Sequence, residues 1–233
     1  MDFAAYFDMI RADCDLLRAL SNKPEAASYL LRHKALHKKL VLRRFTEEKP
    51  VYRLLQTVSH PNLPLVYDTV ALSDAFVVLE EYIDGVTVAE VLETGPYTPR
   101  GAKRVLFGVC AALSFLHQNG CVHRDVKPEN VVVEVSGAVK LIDFDIARAL
   151  SPAGRDTRVL GTLGYAPPEQ QGLAQSDPRS DIYALGVLLN VMLTREHPSV
   201  RLAPGKMGKL VLKCTAVSPE MRFQSAEELM KRL

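Results

Sequence analysis

His123-Arg124-Asp125-Val126-Lys127-Pro128-Glu129-Asn130 leads into the stretch VVVEVSGAVKLI at 131–142, which is followed at once by Asp143-Phe144-Asp145. The apolar runs on either side of Ser136-Gly137 predict a β-hairpin with that dipeptide as its turn. A hairpin returns the chain to where it started, so the polar octet and the second acidic cluster converge. A carboxylate flanked by a cation and an amide, with a further carboxylate beyond the hairpin, suits a magnesium ion that keeps some of its waters and binds phosphate oxygens. The competing reading is a polar loop in which these residues serve as caps and turns.

Working outward, Thr98 is a good N-cap and Pro99 fits the first helical position of the preceding segment. Ala102, Val105, Leu106, Val109, Leu113 and Leu116 recur there as one core face until Gly120 supplies the stop. Downstream, a long segment rich in Gly, Pro and Thr leads into the apolar helix DIYALGVLLNVML at 181–193. The N-terminal part differs in character. SYLLRHKAL, KKLVLRRF and AFVVLEEY read as strands, whereas PVYRLLQTVSHP puts Val51, Leu54, Leu55 and Val58 on one helical face that ends at His60-Pro61. Phe3, Tyr6, Phe7, Ile10 and Leu17 recur at helical spacing and predict an opening helix that ends near Ala12. The pattern is that of an α+β chain with a strand-rich lobe over 1–83 and a larger helical lobe over 84–233, joined near Tyr82 to Gly85. No internal repeat or low-complexity stretch interrupts it.

With 233 residues, 48% hydrophobic and 24% charged, the chain has an ordinary globular makeup, which excludes disorder, collagen and a coiled coil. Its 29 Lys and Arg against 27 Asp and Glu leave a formal charge of +2, too weak a field to argue for nucleic acid as a partner. The dense basic stretch from Arg32 to Arg44 reads as the turn and outer faces of a hairpin. Cys14, Cys110, Cys121 and Cys214 form no CxxC or CxxH pair, so neither a zinc site nor a disulfide framework is expected. The opening residues lack the basic start and apolar core of a secretory signal. The longest apolar stretches, Val105 to Leu116 and Ile182 to Leu193, fall well short of the roughly 20 residues that span a bilayer. No membrane span and a cytoplasmic location are therefore expected, and the oligomeric state is left open.

HRDVKPEN, then DFD, then GTLGYAPPE at 161–169, then DIYALG at 181–186, in that order, resembles the catalytic half of the serine/threonine protein kinases. The likeness covers nearly the whole chain. SYLLRHKALHKKLVLRRF is similar to the second and third strands of the kinase small lobe, HPNLPLVYD to the turn after its αC helix, and CTAVSPEMRFQSAEELM to the terminal helices. GTLGYAPPEQ and SDIYALGVLL resemble bacterial members in particular. The resemblance implies a single two-lobed protein-kinase-like domain that uses ATP and Mg2+ to phosphorylate serine or threonine on a protein substrate. Asp125 then matches the base that takes the acceptor's proton, Lys127 the γ-phosphate contact, and Asn130 and Asp143 the metal ligands. Arg43, Glu81 and Ile83 fall where that family contacts the nucleotide. Lys127 with Thr162 resembles the serine/threonine rather than the tyrosine branch, and His123, Phe144 and Leu55 match a hydrophobic spine. Asp181 matches an acid that accepts bonds from the catalytic-loop backbone, and Glu169 one that pairs with Arg222; both are staples of the fold.

The departures are as specific as the matches. Ser21, Lys23 and Ala26 occupy the three places of a glycine-rich loop, and Pro24 removes an amide there, which argues against close backbone approach to phosphates unless Lys23 offers a point charge instead. Arg43 replaces the strand-three lysine, Val51 stands in place of the αC glutamate, Glu80 takes the gatekeeper position and Asp145 replaces the glycine of DFG. A buried carboxylate and a buried guanidinium that have each lost the usual partner are expected to pair, Arg43 with Glu80, with Glu47 or Glu48 as the competing partner for Arg43. TREHPSVRLAPGKMG at 194–208 is too short for the partner-docking insert of larger kinases, so another surface must recruit substrates. In the segment carrying Ser151, Thr157 and Thr162, a phosphate on Thr157 is expected to pair with Arg124. Two rival readings stand beside the kinase: a pseudokinase scaffold that binds nucleotide poorly, and a small-molecule phosphotransferase of related fold.

Overall fold

The computed structural model describes residues 1–150, 162, 164–171 and 176–233; Ser151 and Thr157 lie outside them. Contacts divide the chain into two units, Met1–His60 with Pro64–Ile83, and Pro61–Leu63 with Asp84–Leu233.

The first unit opens with α1, Phe3–Asp13, capped by Asp2, whose side chain accepts from Ala5 N at 2.9 Å. Leu17, expected on this helix, lies exposed in strand β1, Cys14–Asn22. The chain turns extended at Cys14 because β1 pairs antiparallel with β2, Ala26–His33, from Cys14 opposite His33 onward, and that ladder overrides a periodicity carried by one leucine. Lys34, in the turn after β2, donates from Nζ to the carbonyls of Arg11 (2.8 Å) and Ala12 (2.7 Å), so part of the basic stretch caps the C-terminus of α1.

Strand β3, Lys39–Phe45, helix α2, Pro50–Gln56, and strands β4, Val66–Ala71, and β5, Phe76–Glu81, complete an antiparallel sheet in the order β1-β2-β3-β5-β4. Its register puts Tyr29, Leu31, Leu40, Leu42 and Val77 on one face and Leu30, Val41, Phe45, Phe76 and Val78 on the other. Tyr6, Phe3, Phe7 and Ile10 of α1 pack on the first face, and Tyr52 of α2 meets Phe45 on the second with ring centroids 5.5 Å apart. Strands covered on both faces read as continuous apolar runs, as these do. α2 stops at Gln56, short of the expected His60-Pro61, because Thr57 turns its hydroxyl back onto Leu54 O at 2.8 Å. Val58 therefore falls beyond the helix.

In the second unit, β6, Gly85–Thr87, feeds α3, Val88–Thr94, through a capping box between Thr87 and Glu90. α4, Pro99–Gln118, carries the expected core face, with Ala102, Leu106, Val109, Leu113 and Leu116 all fully buried, and Gly120 leaves it at φ +69°. β7, Cys121–Val122, is followed by the hairpin of β8, Val131–Glu134, and β9, Val139–Leu141, with Gly137 in its turn at φ +81°. β10, Arg148–Ala149, pairs with β7, and β6 pairs with β8. Helices α5, Pro178–Thr194, α6, Gly205–Cys214, and α7, Ala226–Met230, complete the unit; α6 begins earlier than the expected helix near Leu210. Pro61–Leu63 belongs here because Asn62 Nδ2 donates to Val139 O (2.8 Å), Leu141 N to Asn62 O (2.9 Å) and Lys140 Nζ to Leu63 O (2.9 Å). All four cysteines are buried and free, and no helix among the described residues is long and apolar enough to cross a membrane.

Candidate active site

The polar octet is shaped from beneath by Asp181 of α5, which is fully buried. Its carboxylate accepts from His123 N (2.9 Å) and Arg124 N (2.8 Å) and contacts His117 Nε2 at 2.8 Å. Burial alone would raise its pKa; the hydrogen bond and charge of His117, with the bonds from the loop backbone, overcome that and hold it below the usual carboxylate range. These bonds, with Gln170 Nε2 donating to Arg124 O at 2.7 Å, hold Arg124 at φ +68°. Arg124 itself donates from Nε to Ile146 O at 2.8 Å.

His123 is fully buried, edge-on to Phe144 with centroids 5.1 Å apart. Its Nδ1 accepts from Asp125 N at 3.3 Å, which places the ring proton on Nε2, 3.2 Å from Ile142 O. Burial lowers its pKa against the pull of Asp181, Asp125 and Asp143. His123 and Asp181 both titrate lower folded than unfolded, so protonation favours the unfolded chain and each makes the fold less stable as pH falls below its unfolded pKa.

Four side chains meet above this base. Lys127 Nζ lies 2.7 Å from Asp125 Oδ2, and Asn130 Nδ2 donates to the same oxygen (2.9 Å) and to Asp125 O (2.8 Å). The Thr162 hydroxyl donates to Asp125 Oδ1 at 2.7 Å and accepts from Lys127 Nζ at 2.8 Å. A short 3₁₀ turn at Pro128–Asn130 folds Asn130 back towards Asp125. Ile142 N donates to Asn130 O (2.9 Å), which brings Asp143, at φ +67°, beside Asn130 in the backbone. Asp145 follows two residues on, in the turn closed by Ala147 N on Phe144 O at 3.1 Å. A cleft of about 290 Å3 opens beside the loop, walled by Leu92, Glu93, Pro128, Glu129, Tyr165 and Arg195. Burial, then the charge of Glu129, pushes the Tyr165 phenol up to about 12.

Further down, Glu169 and Arg222 form the expected buried pair, Nη1 to Oε1 at 2.6 Å and Nη2 to Oε2 at 2.9 Å. Sequence reasoning missed His117, Gln170 and the direct bonds of Thr162 to Asp125 and Lys127. A single polar residue that reaches across the fold leaves no periodic signal; for Thr162 the signal is its place in GTLGY.

The remaining residues singled out in the sequence lie in the first unit. Arg43 Nε donates to Glu80 Oε1 at 2.6 Å, with the two side chains 13% and 5% exposed. The register explains the reach: Val41 stands opposite Glu80 and Arg43 opposite Val78, so the pair is a diagonal on one sheet face. Glu48 instead takes Arg53 at 2.9 Å, and Val51 is buried. A double-mutant cycle of Arg43→Met and Glu80→Gln should give a coupling of at least about 0.5 kcal/mol in urea unfolding, and strict additivity would count against the pair. Glu81, ending β5, exchanges bonds with Leu65, N to O at 2.8 Å and Oε2 from N at 3.1 Å, and Ile83 closes the unit. In the place of a glycine-rich loop the β1–β2 turn is closed on itself, Lys23 N to Ala26 O (3.2 Å) and Ala26 N to Lys23 O (3.3 Å). Those two amides are engaged within the turn.

A strand-rich unit followed by a helical one that carries this loop and hairpin is the arrangement of a protein kinase domain. The sequence profile of that domain matches residues 21–231, so α1 precedes the matched region. The serine/threonine-protein kinase PknB of Mycobacterium tuberculosis (strain H37Rv) is 36% identical over 204 residues, covering 74% of this chain and 33% of that protein. The serine/threonine-protein kinase PrkC of Bacillus subtilis is 31% identical over 231 residues, covering 88% and 35%. The chain spans about a third of the length of the curated relatives it matches. It belongs to the protein kinase family.

Proposed function

We propose that this chain transfers the γ-phosphoryl group of ATP to serine or threonine hydroxyls of protein substrates. The observation that carries the reading is the Thr162 hydroxyl, an alcohol that donates to Asp125 Oδ1 at 2.7 Å while accepting from Lys127 Nζ at 2.8 Å. An acceptor hydroxyl in the same relation gives its proton to Asp125 as its oxygen bonds to the γ-phosphorus and the bond from that phosphorus to the bridging oxygen breaks. Lys127 offsets charge on the transferred group. Asn130 and Asp143 supply hard oxygen donors in a set too small for an all-protein cage, which fits a magnesium ion that keeps waters. Such an ion, when bound, neutralises phosphate charge. Arg43, Glu81 and Ile83 are the proposed nucleotide contacts, with Arg43 serving Glu80 first. The cleft beside Glu129 is the proposed seat of the acceptor peptide. The reading also places the protein in the cytoplasm.

The test is radiolabel transfer from Mg-ATP to a basic protein substrate, paired with a thermal melt. At 100 times its Kd, Mg-ATP should add about 2.7 kcal/mol of stability. Label on serine or threonine supports the proposal. No transfer and no shift in melting would overturn it in favour of a scaffold.

A further inference from the structure

The loop that follows α5 is held by one fully buried side chain. Asn190 Nδ2 donates to the carbonyls of Glu196 and Arg201, each at 2.8 Å, and its Oδ1 accepts from Ala203 N at 2.8 Å. Thr194 Oγ1 donates to Asn190 O at 2.9 Å. A buried amide with its donors and acceptor all engaged gives the loop a defined shape.

His197 stands on that loop. Its Nδ1 accepts from Ser199 N at 3.2 Å, which assigns the ring proton to Nε2, and Nε2 donates to Gly164 O at 3.0 Å. Ser199 Oγ lies 2.7 Å from the same Nδ1. Gly164 has φ +89°, a left-handed conformation that glycine tolerates and other residues rarely adopt. It sits in a turn in which Thr162 O accepts from Tyr165 N (3.0 Å) and Ala166 N (3.1 Å). The side chain at the head of the turn is Thr162, whose hydroxyl lies between Asp125 and Lys127.

We infer that His197 is a positioning residue: from the loop pinned by Asn190 it holds Gly164 O, and so sets the turn that presents Thr162 to Asp125 and Lys127. The kinetic part of this inference rests on the phosphotransfer reading, whereas the geometric part does not. Other side chains could fill the same space, but the role needs a donor at the position of Nε2.

Two substitutions separate shape from donor. His197→Phe keeps the ring and deletes the donor, and His197→Gln returns an N–H at similar reach. Amide hydrogen exchange followed by mass spectrometry should show Tyr165 and Ala166 exchanging about tenfold faster in His197→Phe, roughly the effect of one lost hydrogen bond, and near wild type in His197→Gln. Phosphate transfer should follow the same order, with kcat reduced and the KM for Mg-ATP unchanged. Wild-type exchange at Tyr165 and Ala166 in His197→Phe, or equal behaviour of the two variants, would overturn the inference. Should His197→Phe fail to fold, His197→Leu carries the same comparison. A wild-type protein that transfers no phosphate sinks the phosphotransfer reading alone, since the exchange measurement still judges His197.

Discussion

Asp125→Asn should lower the rate of phosphate transfer by roughly a thousandfold, within the span of general-base contributions, with little change in melting temperature. The reason lies in how the three bonds at this carboxylate divide. Oδ2 accepts from Lys127 and Asn130, and Oδ1 accepts from the Thr162 hydroxyl. An asparagine can keep its oxygen towards Lys127 and Asn130 and turn its NH2 to the hydroxyl oxygen, so both of those donors keep their acceptor, and only the Thr162 hydroxyl proton must find another. What it loses is the capacity to take a proton from an alcohol. Initial rates at saturating Mg-ATP with wild type and variant side by side decide the matter. Equal rates would remove Asp125 from the chemistry, while a variant that melts early would show that the carboxylate serves the fold.

The largest effect on stability is expected from Arg222→Met. The guanidinium is fully buried and engages Glu169 through two nitrogens, while also donating to Ala216 O (2.8 Å), Val217 O (3.1 Å) and Arg179 O (2.9 Å). It lies over the Tyr183 ring at 5.1 Å. Truncation leaves the Glu169 carboxylate buried with Ser180 Oγ, at 3.1 Å, in place of a cation. Breaking a buried pair from one side costs about 3–5 kcal/mol, more than the pair itself contributes, because the penalty is the charge left behind. For a chain of this size that corresponds to a melting temperature lower by roughly 6–20 °C. The double variant Arg222→Met with Glu169→Leu should recover part of the loss by removing the stranded charge. A single variant that melts with the wild type, or a double variant less stable than Arg222→Met, contradicts this account.

Much of the catalytic half was legible because its signals are local. HRDVKPEN and DFD are contiguous, the Ser136-Gly137 turn announces the hairpin between them, and α4 carries both caps and an unbroken apolar stripe. The pairing of Arg43 with Glu80 was also within reach, since a buried cation and a buried carboxylate that have each lost an expected partner leave few ways to balance charge in a low-dielectric interior. Leu17 and Val58 show the limit of periodicity. Each continued a helical pattern, and each was excluded by a stronger local bond, the β1–β2 ladder in one case and the Thr57 hydroxyl in the other.

By itself, then, the amino-acid order determined the family, the α+β division of the chain and the placing of Lys127 and Asn130 beside Asp125, because those are carried by residue types at short and regular spacing. Tertiary structure alone decided what holds them. His117 and Asp181 are 64 residues apart, Gln170 and Arg124 are 46 apart, and His197 and Gly164 are 33 apart. A hydrogen bond requires two groups within about 3 Å in space and takes no account of their separation along the chain. Only the packing of α5 beneath the His123–Asn130 loop, and the loop that Asn190 pins after it, brings these donors to their acceptors.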